Sequence, residues 1–264
     1  MSQAWTIVSG KGGVGKSMIA SALGLALANR RLECCLVDAD MGLRSLDMLL
    51  NMQNKVVFDA LDVANRDCKL RYALVRHAAH ETLSLLPAAQ LGDLRTLDVQ
   101  EWERIVRKAK KRAAYVIVDA PAGIGRGVRN LLAATDHCIL VATPDDVSLR
   151  DAEQVTALLD SLGKPRPMLI VNRVIPEWVK AGDMYAPQTV AATLDVPLLG
   201  FVPEDRAILR ALSRHESFME ADGPAHEAME RIASRFLGEY IPMPALVRRR
   251  PFWRRLGKPP VSAS

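Results

Sequence analysis

Short apolar runs alternate with longer amphipathic stretches along most of the chain. Continuous apolar and β-branched runs occur at residues 4–8, 34–37, 83–86, 115–118, 138–142, 168–171 and 197–202. Helical periodicity is found between them, at residues 17–30, 99–111, 147–162, 185–194 and 224–237. Continuous apolar runs are typical of strands that are covered on both faces, and strands alternating with helices favour a parallel sheet. The pattern therefore predicts an α/β fold with a single doubly wound, mostly parallel sheet flanked by helices.

The alternation ends near residue 240. Residues 240–246, YIPMPAL, contain two prolines, which is typical of an extended linker. We therefore predict a single domain at residues 1–239, a linker at residues 240–247 and a tail at residues 248–264. The sequence has no run of 18 apolar residues, so no membrane-spanning helix is predicted.

The most specific motif lies between the first strand and the first helix. Residues 10–17, GKGGVGKS, match the phosphate-loop pattern G-x-x-x-x-G-K-[ST], and the strand–loop–helix context disfavours a glycine-rich turn without a ligand. Glycines let successive N–H groups point at one anion, and the helix adds its positive end. We predict that Lys16 contacts the β- and γ-phosphates and that the Ser17 hydroxyl binds Mg²⁺. The predicted nucleotide contacts from this region are Gly10, Lys11, Gly12, Gly13, Val14, Gly15, Lys16, Ser17 and Met18.

Two further strands end in carboxylates. Asp38 and Asp40 lie in LVDAD at residues 36–40, and Asp119 lies in YVIVDAPAG at residues 115–123. The carboxyl ends of parallel strands meet at one edge of a sheet, where ligands collect. Carboxylates there can organise the water molecules of Mg²⁺ or position an attacking water, although each is also compatible with an acidic strand-end turn. The candidate metal ligands are Ser17, Asp38 and Asp119.

Charge is unevenly distributed. The net charge is +5, but residues 241–264 contain six basic residues and no acidic ones. The rest of the chain has 29 basic and 30 acidic residues, a net charge of −1, which disfavours nucleic-acid binding by the domain. The four cysteines show no C-x-x-C spacing, and we expect those in apolar runs to be buried reduced thiols: Cys34, Cys35 and Cys138.

The loop also contains a second lysine, Lys11, which an ordinary phosphate loop does not need; the simplest alternative is a solvated side chain. The pattern K-G-G-V-G-K-[ST] resembles the deviant Walker A phosphate loop of the MinD/ParA family of ATPases. Other stretches resemble the same family over nearly the whole chain, including its first switch at residues 37–50 and its second switch at residues 119–124. The resemblance implies a P-loop NTPase that forms a homodimer around ATP and Mg²⁺.

Roles for individual residues follow from this resemblance. Lys11 would contact the nucleotide of the opposite subunit, Asp40 would help to activate water, and Asp38 would hold the first switch. Lys11, Lys16 and Asp40 are thus the expected catalytic residues. Asp119 would bind Mg²⁺ through water, and Asp151 would lie on a helix offered to regulatory partners. Adenine would be surrounded by Asn172, Arg173, Pro203, Glu204 and Asp205. The chain departs from the family after the second switch, where Gly125 and Arg126 replace a commonly acidic position.

The tail combines aromatic and basic residues. If a helix begins at Pro251, then Phe252, Trp253 and Leu256 share one face, whereas Arg254 and Arg255 lie on another. Such a segment is typical of helices that lie in a membrane interface, and it resembles the C-terminal targeting sequence of the MinD branch. We predict that it binds the anionic inner membrane; a disordered basic tail and a nucleic-acid-binding tail are the alternatives.

The MinD branch implies a weak, partner-stimulated ATPase in the bacterial cytoplasm and on the inner face of the membrane. Its expected partners are a MinC-like division inhibitor, recruited to position the septum, and a MinE-like or other topological factor. A flagellar-number relative is disfavoured because only nine residues precede the loop. A ParA-type DNA partition ATPase is disfavoured by the −1 charge, so no nucleic acid is expected as a partner. An electron-donating branch is disfavoured because Cys34 and Cys35 lie on a predicted buried strand.

Overall fold

The strands of the sheet are close to those that the hydrophobic pattern predicts. The computed structural model describes residues 2–90, 95–214, 216–220 and 222–246. Within these residues the sheet has eight strands: β1 (Gln3–Val8), β2 (Cys34–Asp38), β3 (Val75–Arg76), β4 (Leu83–Leu86), β5 (Tyr115–Asp119), β6 (His137–Ala142), β7 (Met168–Val174) and β8 (Leu198–Pro203).

Helices connect these strands. The described α-helices are α1 (Lys16–Asn29), α2 (Leu46–Leu49), α3 (Ala60–Asn65), α4 (Leu70–Ala73), α5 (Val99–Lys110), α6 (Arg126–Ala134), α7 (Asp146–Ser161), α8 (Pro176–Ala181), α9 (Pro187–Leu194), α10 (Arg206–Ser213) and α11 (Pro224–Phe236). The five predicted helices are all present. The sequence does not predict α2, α3, α4, α6, α8 and α10. Four of these, α2, α3, α4 and α8, have only four to six residues, too few apolar positions to establish a period.

The strand order is β3-β4-β2-β5-β1-β6-β7-β8. Every neighbouring pair is parallel except β3 and β4, where Val75 and Arg76 pair antiparallel with Leu85 and Ser84. The predicted doubly wound, mostly parallel sheet is therefore confirmed. Because β1 lies between β5 and β6, the loop after β1 leaves from the centre of the carboxyl edge, where the chain turns towards opposite halves of the sheet.

Helices cover both faces of the sheet. On one face α1 and α11 pack together over a core that includes Ile19, Leu23 and Met229. Gly24 permits this close approach, since a Cβ there would lie 2.8 Å from the Leu36 side chain of β2. The other face is covered by α5, α6, α7 and α9. The phosphate loop is thus anchored at both ends by elements most of whose residues are buried.

The helix α5 shows how the sequence defines such an element. It begins with a capping box, in which Asp98 accepts from the N–H of Glu101 and Glu101 accepts from that of Asp98. One face buries Trp102 and Ile105 against the sheet. The last turn is basic, which is favourable at the negative end of a helix.

The chain after α11 stays in contact with the domain. Arg235 donates hydrogen bonds to the carbonyl oxygens of Ile241 and Pro242, at 2.7 and 2.8 Å, and Leu246 packs against the core. The predicted linker is therefore held against the domain as far as residue 246. The predicted membrane residues Phe252, Trp253, Arg254, Arg255 and Leu256 lie outside the described residues. In the described part of the chain, no helix is both long enough and apolar enough to cross a membrane.

Candidate nucleotide-binding site

The phosphate loop requires glycine at several positions. Gly13 and Gly15 have φ angles of 76° and 91°, in the left-handed region where a side chain is strained. At Gly10 a Cβ would overlap the backbone of Asp151 in α7. In the described structure α1 starts without a side-chain N-cap and without an acidic residue in its first turn. Its first N–H groups are consequently oriented to receive an anion, so the loop fits the phosphates of a nucleotide.

Lys16 is held by an acidic residue of a neighbouring strand. Its Nζ lies 2.8 Å from Oδ1 of Asp119, and the two side chains are only 7% and 0% exposed. Burial raises the pKa of Asp119, while the nearby Lys16 ammonium and Ser17 hydroxyl act in the opposite direction. The lysine therefore stabilises a buried charge at the site where phosphates are predicted to bind.

Asp119 also offers an atom suited to a metal site. Its Oδ2 is buried and has no hydrogen-bond partner among the described residues. Mg²⁺ prefers oxygen ligands and retains several of its waters in proteins. An unpartnered carboxylate oxygen close to the Ser17 hydroxyl thus fits a Mg²⁺ ion that is bound through water.

Asp38 lies beside Asp119, since the two residues are paired in register across β2 and β5. Its Oδ1 accepts from the N–H of Asp40 and its Oδ2 from the N–H of Leu46, both at 3.1 Å. Burial, followed by the charge of Asp119, raises the pKa of Asp38 to about 7. Because both oxygens bind backbone donors, this geometry favours a role in holding the first switch over direct contact with a metal.

Asp40 is more accessible than the other two carboxylates. It is half-buried, and burial raises its pKa while the Lys16 charge lowers it. Together with Met41 and Pro121 it lines a cavity of about 220 Å³ that lies between the two switches. This position is compatible with a carboxylate that acts on a water molecule next to the phosphates.

Lys11 has a quite different environment from Lys16. Its Nζ lies 3.9 Å from Oδ1 of Asp145, and the two side chains are 43% and 46% exposed. Lys11 lines a cavity of about 570 Å³ whose other walls come from four segments at the carboxyl edge: Gly12, Gly13, Val14, Thr143, Pro144, Asp145, Arg173, Ile175, Trp178, Met184 and Glu204. A loosely held lysine at the mouth of such a cavity is free to meet another molecule.

The predicted adenine residues are only partly brought together. Asn172 is buried and donates from Nδ2 to the carbonyl oxygen of Val14, at 2.7 Å, so it supports the loop directly. Arg173 and Glu204 line the 570 Å³ cavity, whereas Pro203 ends β8. The Asp205 carboxylate accepts from the N–H groups of Ala207 and Ala225, which fixes the starts of α10 and α11.

The structure also reveals contacts that the motif alone did not show. Asp145 caps α7 by accepting from the N–H of Ser148, and its other oxygen accepts from the Thr143 hydroxyl at 2.5 Å. Burial tends to raise the pKa of Asp145, but these hydrogen bonds and the Lys11 charge hold it below its usual value. The sequence signal was the Asp145 N-cap pattern before α7, which marks a helix start but does not reveal its contact with Lys11.

Comparison with known proteins identifies the family of this chain. The model of the CobQ/CobB/MinD/ParA nucleotide binding domain matches residues 5–218. The septum site-determining protein MinD of Bacillus subtilis is 36% identical over 249 residues, which cover 93% of each chain. The chain belongs to the MinD family.

Solved MinD structures share the fold. A chain of the MinC:MinD cell division protein complex from Aquifex aeolicus superposes with a TM-score of 0.86 and 35% identity, covering 92% of this chain and 99% of that one. MinD from Pyrococcus horikoshii, solved with Mg-ADP, has a TM-score of 0.79 and 25% identity, covering 89% and 96%. The MinD family therefore accounts for the phosphate loop, the switch carboxylates and the sheet order within one nucleotide-binding ATPase fold.

Proposed function

We propose that this chain is an ATP-hydrolysing switch that dimerises around ATP, attaches to the inner membrane and positions the division septum by recruiting a division inhibitor. The observation that carries this proposal is the contrast between its two loop lysines. Lys16 is buried against Asp119, whereas Lys11 is exposed at the mouth of a large cavity. One lysine is placed for the phosphates of its own subunit, and the other is available to a second subunit.

The nucleotide would be held mainly by backbone groups. The N–H groups of the loop and of the first turn of α1 surround the phosphates, and Lys16 exchanges Asp119 for the β- and γ-oxygens. The Ser17 hydroxyl and Oδ2 of Asp119 would hold Mg²⁺, directly and through water respectively. When bound, Mg²⁺ neutralises charge that develops on the phosphate oxygens. Asp40 orients the attacking water.

Dimerisation would follow from the charge of the nucleotide. A triphosphate in the loop places negative charge beside Lys11 of the other subunit, and that charge competes with Asp145 for the lysine. The Lys11–Asp145 pair is half-exposed and long, so breaking it costs little. ADP lacks the γ-phosphate, and we therefore expect it to support the dimer poorly.

The first switch would transmit this change. Asp38 ties the N–H of Leu46 at the start of α2 to the end of β2, next to Asp119. When Lys16 leaves Asp119, the charge facing Asp38 changes. The backbone of residues 40–46 is therefore placed to respond to the state of the nucleotide.

Membrane attachment would depend on two tails. Full burial of Phe252, Trp253 and Leu256 contributes roughly 1.5–3 kcal/mol each, and partial immersion contributes less. Ordering the helix costs about 1–2 kcal/mol per residue, so one tail binds only marginally. In a dimer the second insertion is intramolecular, which raises the avidity by about 10² or more.

Two lines of support concern partners. A solved neighbour is a MinC:MinD complex, which supports a MinC-like inhibitor as a partner here. Asp151, predicted to lie on the partner-facing helix, packs through its backbone against Gly10 of the loop. A MinE-like or other topological factor that binds α7 would thus act close to the phosphates. Intrinsic hydrolysis would be slow, because the switch must persist until such a factor binds.

Sedimentation with phospholipid vesicles tests the proposal. We expect the full chain to bind anionic vesicles with a nonhydrolysable ATP analogue and Mg²⁺ but not with ADP, and Trp253→Glu to abolish this binding. Light scattering of the same samples should show a dimer with the analogue in both the wild type and Trp253→Glu. Equal vesicle binding with either nucleotide, or a monomer at saturating analogue, would refute the proposal.

A further inference from the structure

A basic groove lies at the sheet edge opposite the phosphate loop. It has a volume of about 590 Å³ and is lined by Lys69, Leu70, Arg71, Lys108, Lys111 and Arg112. We call it the amino-edge groove, because the end of α5 leads there into the amino end of β5. The net charge of −1 for residues 1–240 therefore conceals a strongly cationic region.

The cations of this groove are not neutralised by the protein. None of the five forms an ion pair with a carboxylate within the described residues. Lys110, in the same helix as Lys108, is different, because its Nζ lies 2.6 Å from Oδ2 of Asp136. Like charges gathered around one concave surface repel each other, so this arrangement favours an anionic ligand.

The helix dipole explains only part of the cluster. Lys108 and Lys111 lie at the end of α5, where cations stabilise a helix. Lys69 is instead the N-cap of α4 and Arg71 lies within it; this helix has only four residues and offers no comparable stabilisation of positive charge. Two elements thus direct cations into the groove, and the dipole of α5 accounts for the cations of only one of them.

The groove shares its edge with the segment that leads to the tail. Phe236, at the end of α11, contacts the ring of Tyr115 with centroids 5.5 Å apart. Arg112 is only three residues before Tyr115. The end of α11 and the groove therefore lie at the same end of the sheet.

One exposed tyrosine accompanies these cations. Tyr72 is 59% exposed and stacks under Arg71, whose Cζ lies 4.5 Å from the ring centroid. Tyrosine with lysine and arginine is the composition typical of a surface at the water–lipid boundary.

We propose that the amino-edge groove binds the headgroups of anionic phospholipids and acts together with the tail as a second membrane contact. This inference rests on the membrane attachment proposed above. The exposed Tyr72 beside these cations, and the end of α11 at the same edge, favour a lipid surface over a nucleic acid. The groove would make attachment depend on the charge of the membrane, whereas the apolar face of the tail supplies insertion.

A triple variant with a matched control tests this. Lys108→Gln, Lys111→Gln and Arg112→Gln remove three groove cations that make no described side-chain hydrogen bond. The control, Lys55→Gln with Arg129→Gln and Lys180→Gln, removes the same charge from exposed positions elsewhere. Flotation of the full chain with the ATP analogue would be measured on phosphatidylcholine vesicles with and without phosphatidylglycerol.

Each cation near an anionic leaflet strengthens binding about fivefold, so the groove variant should bind at least about tenfold more weakly than the control. The difference should vanish on vesicles without phosphatidylglycerol. A second variant, Lys69→Gln with Arg71→Gln, should show the same effect from α4. Normal binding by both groove variants overturns the inference but leaves the proposed function intact, whereas absence of vesicle binding by the wild type refutes the proposed function itself. If the groove variants instead lost affinity for duplex DNA while their vesicle binding stayed unchanged, the inference would be overturned in favour of a nucleic acid.

Discussion

The ammonium of Lys16 lies 2.8 Å from the carboxylate of Asp119, and both side chains are almost fully buried. A lysine that must serve a phosphate is thus already paired with a carboxylate that is suited to the metal. In the proposed mechanism, nucleotide binding breaks this pair and gives each member a new partner. On that proposal the pair has two arrangements, and the change between them coincides with occupation of the loop.

The first prediction concerns the stability of this pair. Lys16→Ala leaves a buried carboxylate without its partner, which should lower the free energy of unfolding by about 3–5 kcal/mol, or less where Asp119 takes up a proton. The double variant Lys16→Ala with Asp119→Asn should recover much of this loss, because it removes the unpaired charge. Urea unfolding of the nucleotide-free proteins measures both values.

Nucleotide binding provides the control for this comparison. Both variants should fail to bind ATP, since both lack the lysine, even though their stabilities differ. If the single and the double variant were equally unstable, the pair would not stabilise the folded state.

The second prediction separates Lys11 from Lys16. Lys11→Ala removes only a half-exposed ion pair of 3.9 Å, so the free energy of unfolding should change by less than about 1 kcal/mol. The variant should still bind ADP but should not dimerise with the ATP analogue. Calorimetry and light scattering measure these two properties. Retention of the analogue-dependent dimer would show that Lys11 does not act between subunits.

Much of this architecture could be predicted from the sequence. The central strands are continuous apolar runs. The spacing of glycine, lysine and serine in residues 10–17 is specific to phosphate loops. By contrast, the antiparallel strand β3 has only two residues, Val75 and Arg76, too few for any period. The hydrophobic pattern therefore predicts every described strand except this short one, including β8 at the opposite edge.

For the candidate site, the sequence predicts the positions of residues better than their contacts. The sequence predicts that Asp38 and Asp119 lie at one edge, because parallel strands align their carboxyl ends. It does not predict which backbone N–H groups donate to each carboxylate oxygen, since the N–H of Leu46 reaches Asp38 across an irregular turn. The amino-edge groove could not be found from net charge either, because Lys69 and Arg112 are far apart in the chain.

The third prediction is a dependence of stability on pH. Burial raises the pKa of Asp38 from 3.8 to about 7, so the folded protein keeps a proton that the unfolded chain releases. The contribution of Asp38 to the free energy of unfolding is therefore present at low pH, and it is lost as the pH rises through the interval between these two values. The loss is at most about 4 kcal/mol, since each unit of difference corresponds to about 1.4 kcal/mol. Burial raises the pKa values of Asp40 and Asp119 as well, so both act in the same direction.

Asp38→Asn tests this dependence. The amide cannot ionise, so the decline in stability with pH should become shallower, as urea unfolding across the interval would show. The variant should be less stable than the wild type at the acidic end, because its NH₂ group faces a backbone N–H that the carboxyl group satisfied. An unchanged slope would mean that Asp38 is not the group responsible.

The fourth prediction concerns the contact between the loop and α7. A Cβ at Gly10 would overlap the backbone of Asp151 and lie 2.7 Å from its Cβ, and none of these atoms can move without moving the helix. Gly10→Ala should therefore displace the loop, cost about 1–3 kcal/mol of stability and weaken nucleotide binding.

Gly12→Ala is the matched control, because a Cβ there meets only the Cβ of Ala122, at 3.9 Å. It makes the same chemical change two residues away, so its effect on stability should stay within about 0.5 kcal/mol. Thermal unfolding and titration with ADP distinguish the two variants. If Gly10→Ala bound nucleotide as well as Gly12→Ala does, the loop would not depend on its contact with α7. A partner that binds α7 would then need another route to the phosphates.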